Sequence, residues 1–160
     1  MKKTALLSPT LSIPRLIIGL WQIADMEKEG RQLDPIKTAG YMNEYVEAGF
    51  TAFDMADHYG SSEIIAGKSK NNHPKGASIQ LFTKWVPKPG SIDRKEVRNA
   101  IENALDRMQQ SSINMMQFHA WNYADPSWLD GLLFLKELKE EGLIEAIGVT
   151  NFDAHHLRIA

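Results

Sequence analysis

Five short apolar runs, separated by segments of helical character, constrain this 160-residue chain more than any other feature. They are RLIIGLW (15–21), FTAFDMA (50–56), SIQLFTKW (78–85), MMQFHAW (115–121) and EAIGVTNF (145–152). Short apolar runs bounded by polar or turn-forming residues read as buried strands. The intervening segments carry helix punctuation. Asp34-Pro35 opens one and Gly49 closes it; Asp125-Pro126 opens another and Gly142 closes it. An aspartate N-cap, proline in the first turn and glycine past the last turn are the residues a helix needs at those places. A third segment places Val97, Ile101, Leu105 and Met108 at helical spacing behind a capping-box pair, Asp93 and Glu96. A shorter helix is expected over 62–68, with Ile64 and Ile65 facing inward.

Strand and helix thus alternate at roughly 30 to 35 residues per unit, the α/β pattern of parallel strands joined by right-handed crossovers. Two architectures share that pattern. An open dinucleotide-binding sheet needs a glycine-rich G-x-G-x-x-G turn after its first strand, and WQIADMEKEGRQLD, which follows the first run, lacks one. A closed barrel spreads its functional residues over the C-terminal ends of successive strands. Here Trp21 and Gln22, Asp54 and Tyr59, Lys84, His119, and Thr150 and Asn151 each fall at the end of a different run. The sequence therefore predicts a (β/α) barrel of the TIM type. A complete barrel takes about 250 residues, so residues 1–160 are expected to be the first five units, the N-terminal portion of one barrel domain with no second domain. The final DAHHLRIA reads as the first turns of a further helix.

Composition narrows the chemistry. With no cysteine, disulfides, thiolate catalysis and cysteine-ligated metal sites drop out. Neither His-x-His nor His-Glu-x-x-His occurs, so no metal is expected. A formal net charge of -2 without blocks of one sign argues against nucleic acid or an anionic membrane as partner. Pro9 and Pro14 interrupt the N-terminal apolar stretch, and no run reaches the ~18 apolar residues of a membrane span. A soluble, cytoplasmic protein is the expectation.

Asp54, Tyr59, Lys84 and His119 form the constellation that could carry a reaction. A free phenol, with a pKa of about 10, is a poor proton donor near neutrality, but a nearby ammonium favours its ionised form. A buried ammonium in turn needs a carboxylate. Asp54 would hold Lys84, Lys84 would tune Tyr59, and His119 would orient a carbonyl beside the phenol. Such a group suits a reaction that puts a proton on oxygen as charge builds there, and reduction of a carbonyl by hydride is the obvious case.

On ALLSPTLSIPRLIIGLW, DMADHYGSSE, LFTKW, QFHAW and GVTNF, in that order and spacing, the chain resembles the N-terminal part of an aldo-keto reductase. The resemblance implies a barrel that binds NADPH, or NADH, in extended form and reduces a small carbonyl substrate. It makes Tyr59 the general acid, Lys84 and its partner Asp54 the groups that tune it, and His119 the substrate-orienting residue. It places Gly19, Trp21, Asp54, Thr150 and Asn151 around the cofactor, the last two at the nicotinamide carboxamide. It puts Trp21, Trp85 and His119 in the substrate pocket. The family's later strands, which complete the cofactor site, have no counterpart here, so the chain alone is expected to have little reductase activity.

Blander roles stand beside these. Asp57 and His58 read as loop residues that set where Tyr59 sits, Trp121 and Trp128 as core or rim packing, and His155 and His156 as surface. A metal-dependent barrel hydrolase and a non-catalytic binding or regulatory protein are the competing functions. An unclosed barrel exposes strand edges and interior, so self-association or pairing with a complementing C-terminal segment is expected.

Overall fold

The structure, a computed structural model, describes residues 4–160. Strands β1 (Thr4–Leu6) and β2 (Ser12–Pro14) form an antiparallel hairpin. Then follow β3 (Ile18–Gly19), α1 (Trp21–Lys28), α2 (Pro35–Glu47), β4 (Ala52–Asp54), α3 (Ser62–Asn72), β5 (Gln80–Trp85), α4 (Arg94–Met108), β6 (Ile113–His119), α5 (Trp128–Glu140), β7 (Ile144–Thr150) and α6 (Ala154–Ile159). A single 3-10 turn, Gly76–Ser78, precedes β5. Strands β3 to β7 form one parallel sheet in chain order, each paired only with its sequence neighbours. This is part of an α/β barrel, with strands on the inside and helices outside.

The helix punctuation works as the sequence predicts. Asp34 accepts from the backbone N–H groups of Ile36 and Lys37 at 2.8 and 3.2 Å, and Asp93 accepts from Glu96 N–H at 2.8 Å. Each satisfies donors that the first turn leaves open. Val97, Ile101, Leu105 and Met108 are all buried. In α3, which runs four residues beyond the expected 68, Ile65 is buried and Ile64 only half so. At α5, Asp125 accepts from Ser127 N–H at 2.9 Å, one turn before the helix proper.

Two elements differ from the sequence reading. The hairpin β1–β2 is not foreseen, because Pro9 and Pro14 mask strands of three residues each. Helix α1 begins at Trp21, a residue the apolar run assigns to a strand. Its start has no side-chain cap, which removes the signal by which a helix N-terminus is read.

Alternation along the strands sorts side chains between two cores. Leu81 and Trp85 of β5 join the main core between sheet and helices, whereas Phe82 joins Ala52, Ala146 and the hairpin's Leu11 and Ile13 inside the barrel. Gln80 donates to Ser12 O at 2.8 Å. The hairpin thus plugs the N-terminal end of the barrel, which leaves the opposite, C-terminal end for chemistry.

Candidate active site

Lys84 shares the inward face of β5 with Phe82, and the residue is 7% exposed. Its Nζ donates to Asp54 Oδ2 at 2.5 Å and to Met55 O at 2.8 Å. Such a buried ammonium is tolerated because a carboxylate and a carbonyl replace its water. The other Asp54 oxygen accepts from Gln117 Nε2 at 3.0 Å, and Gln117 Oε1 accepts from Thr150 Oγ1 at 3.0 Å. One hydrogen-bonded chain therefore crosses the C-terminal ends of β4 to β7.

Tyr59 stands over this chain, its ring centroid 4.9 Å from Lys84 Nζ. It sits on the turn between β4 and α3, and that turn is held from two sides. Glu27 of α1 accepts from Ser61 N–H at 3.0 Å and from the Ser61 hydroxyl, a carboxylate at the N-terminus of α3, where the helix dipole favours negative charge. Gly60 has φ of +54° and lies so close that a Cβ would come within 1.8 Å of Glu27 Oε2, so glycine is required on both counts. From the other side, Asp57 N–H donates to Lys84 O at 3.0 Å and Asp57 Oδ2 accepts from Val86 N–H at 2.9 Å. Asp57 is thus the clamp that joins the Tyr59 turn to the end of β5.

His119 is 7% exposed. Its Nε2 lies 2.7 Å from Asn151 Nδ2, and its Nδ1 is buried without a partner. Burial pushes its pKa below the ordinary histidine value, with His58 and Lys84 adding to the shift and Asp57 opposing it; the ring is neutral near pH 7. Asn151 itself adopts φ of +64°. Its backbone carbonyl accepts from the Tyr123 hydroxyl at 2.9 Å, which fixes that left-handed turn.

Aromatic rings line the mouth. Trp21, at the first position of α1, meets Tyr59 edge-on at 4.8 Å; His58 contacts Tyr59 at 4.8 Å and lies 6.1 Å from His119; Trp121 stacks on His119 at 4.7 Å. Gly19 pairs with Asp54 in register, beside open space.

The structure brings Asp54, Tyr59, Lys84, His119, Thr150 and Asn151 together at one end of the sheet, with Gly19 and Trp21 at its margin. It does not bring Trp85 there. Trp85 follows Lys84 on the strand and so faces the other way, 5% exposed and edge-on to Phe118 at 5.6 Å in the helix-facing core. Its expected place in the substrate pocket is corrected by that alternation, and Trp121, read as packing, stands at the mouth instead. Sequence reasoning also misses Gln117. The signal was available, since Gln117 precedes His119 by two on one strand and so shares its inward face. Behind β5 lies a second unforeseen polar group: Glu63, 1% exposed, accepts from Thr83 Oγ1 at 2.6 Å and from Arg107 Nε at 2.5 Å. Burial raises its carboxyl pKa, against the pull of Thr83 and Arg107.

Among the described residues, no group of three or more histidine, aspartate or glutamate side chains is placed to hold a metal ion. No helix there is long and apolar enough to cross a membrane.

The family model described as "Aldo/keto reductase family" matches residues 15–160. Among curated proteins, the chain is 29% identical over 147 residues to methylglyoxal reductase DkgA of Escherichia coli K12, covering 91% of this chain and 48% of that protein. It is 30% identical over 125 residues to the chloroplastic pyridoxal reductase of Arabidopsis thaliana, covering 70% and 34%. It is 28% identical over 180 residues to the NADH-specific methylglyoxal reductase of Escherichia coli K12, covering 99% and 54%. The aldo/keto reductase structure from Brucella melitensis superposes with a TM-score of 0.78 at 25% identity, over 98% of this chain and 56% of that one. The chain spans about half the length of the curated relatives it matches.

Proposed function

The chain belongs to the aldo/keto reductase family, and from that premise we propose that its C-terminal barrel face reduces the carbonyl of a small aldehyde or ketone, with a nicotinamide cofactor, NADPH or NADH. The observation that carries this reading is the Lys84 ammonium, held by Asp54 and Met55 O and lying 4.9 Å from the Tyr59 ring centroid. That geometry sets a carboxylate-paired ammonium against the ring of a phenol at this end of the sheet.

The residues at the end of β7 fit the cofactor's reactive end. Thr150 and Asn151 set a hydroxyl and an amide side by side, the groups that pair with a primary carboxamide. A bound nicotinamide would supply the hydride. Tyr59 delivers the proton to the carbonyl oxygen as charge develops there, which is general acid catalysis. The Lys84 ammonium would face the phenolate left behind, and Asp54 keeps that ammonium in place. His119, neutral through burial, would orient the carbonyl once its Nε2 exchanges Asn151 Nδ2 for the substrate oxygen. Trp21, His58 and Trp121 wall the substrate space, and their rings suit a small aldehyde or a flat aromatic one. The likeness to methylglyoxal and pyridoxal reductases supports the aldehyde class.

The proposal includes completion of the site from outside these residues. The outer edge of β7 pairs with no strand among the described residues, and Leu129, Leu133, Ile147, Val149, Leu157 and Ile159 line an apolar groove of about 830 Å³ beside it. A complementing C-terminal β/α segment would cover that groove and supply the rest of the cofactor surface. A second copy fits less well, since the seven residues of β7 would meet the two of β3.

Aldehyde reduction is to be assayed for the chain alone and for the chain joined to a complementing segment. Tyr59→Phe in the joined form is expected to lower kcat by about 10² to 10⁴ with unchanged circular dichroism. Wild-type turnover in that variant would overturn the assignment of Tyr59. Reduction by the unaccompanied chain at an ordinary enzyme rate would overturn the need for completion.

A further inference from the structure

Gln117 lies at the centre of the hydrogen-bonded chain yet has no part in proton transfer. It pairs in register with Lys84 on one side and Gly148 on the other. A Cβ at Gly148 would come within 3.2 Å of Gln117 Cγ, so the neighbouring strand is bare where this side chain crosses it. The side chain lies between Asp54 Oδ1 and Thr150 Oγ1, 3.0 Å from each.

The direction of every bond in this chain is fixed by its first member. Lys84 can only donate. An Asp54 carboxylate that takes the ammonium on Oδ2 can only accept on Oδ1. Gln117 must therefore turn its NH₂ toward Asp54, which leaves its carbonyl oxygen facing Thr150. Thr150 must then donate its one hydroxyl proton to Gln117. What remains of the hydroxyl toward the open end of the barrel is lone pairs.

We propose that Gln117 is a positioning residue that transmits the charge of the Lys84–Asp54 pair to Thr150 and so makes the Thr150 hydroxyl an obligate acceptor. Thr150 then selects the N–H side of the carboxamide and fixes which way that group is turned. The same glutamine links the general-acid machinery and the cofactor grip through one polar side chain. The inference rests on the reductase reading, in that the carboxamide is the group to be recognised.

Two measurements test it, and the first needs no cofactor. In the wild-type chain labelled with ¹⁵N-glutamine, the Gln117 amide protons are expected to exchange with water at least about tenfold more slowly than those of a free glutamine amide, because one is held on a buried carboxylate. Exchange at the free rate would overturn the relay. The second compares binding of NADPH and of its 3-acetylpyridine analogue, which keeps a carbonyl oxygen but has no amide N–H, by the chain joined to its complementing segment. The wild type is expected to bind NADPH at least about tenfold more tightly, one hydrogen bond to an unmatched acceptor. In Gln117→Met, Thr150 is free to donate, and that ratio is expected to fall at least threefold. A ratio that stays unchanged while both affinities drop together would show a merely structural glutamine and overturn the proposal. If neither nucleotide binds the joined wild-type protein, the reductase reading fails, and amide exchange still decides the relay.

Discussion

His119 shows how one buried side chain ties stability to pH. Its folded-state pKa lies below the ordinary 6.5 because burial disfavours the imidazolium. Between the folded value and 6.5 the unfolded chain binds the proton more readily, so His119 contributes stability fully above about pH 6.5 and loses it as pH falls below. The stability advantage of the wild type over His119→Gln is expected to shrink between about pH 7 and about pH 5, as read by urea unfolding at each pH. An advantage that grew on acidification would contradict a neutral folded-state ring. At this scale the sequence was most informative where a residue carries charge. Asp54, Lys84 and His119 stand out in apolar strands because ionisable groups are rarely buried without a task. Gln117 does not, because an uncharged amide has no comparable reason to be noticed. Glu63 was hidden for a different reason: its partner Arg107 is 44 residues away, and no local pattern joins them.

Among elements, the helix least visible in the sequence turns out to matter directly to the site. Helix α1 has a start that no capping residue announces, yet its Glu27 holds the turn on which Tyr59 rides. Gly60→Ala would force a positive φ on an L-residue and drive Cβ into the Glu27 carboxylate. We expect a loss of about 1–3 kcal/mol from the backbone conformation and clash together, measured by denaturant midpoint, with a smaller loss in a Glu27→Ala background where the carboxylate is gone. Equal losses in both backgrounds would mean that Glu27 does not press on Gly60. The strands themselves were legible because their period and composition are local properties. Their ends were less so: the run 15–21 gives only the two-residue β3 before the chain turns into α1, because nothing in an apolar run marks where pairing stops. Which of two tryptophans reaches the mouth depended on strand phase, and Lys84 already fixed that phase: its inward side chain sends Trp85 outward.

For the whole molecule, the plug end and the chemical end differ in how complete they are. Leu11 and Ile13 fill the lower interior, whereas Leu133, Leu157 and Ile159 stay more than half exposed beside β7. An apolar groove of that kind binds hydrophobic dyes and invites association. The chain alone is expected to enhance anilinonaphthalene sulfonate fluorescence, and addition of a complementing β/α segment to reverse it. Enhancement that persists after a stable complex forms would place the exposed apolar surface elsewhere. Barrel class was legible from the spread of polar residues over strand ends. The partly open flank was an arithmetic expectation from five strands, and the unequal lengths of its two edges appear only in the structure.

Strand order has a further consequence for how such a chain comes into being. Every strand from β4 to β7 pairs with the one made just before it. On a ribosome, where residues emerge at about 5–20 per second, each new unit finds its docking surface already finished. The hairpin that stoppers the barrel is made before β3 and packs against Ala52, Phe82 and Ala146 as they arrive. Growth of the sheet is therefore vectorial: each strand from β4 onward is added at the edge its predecessor leaves, while the opposite edge, β3, stays as it was first made.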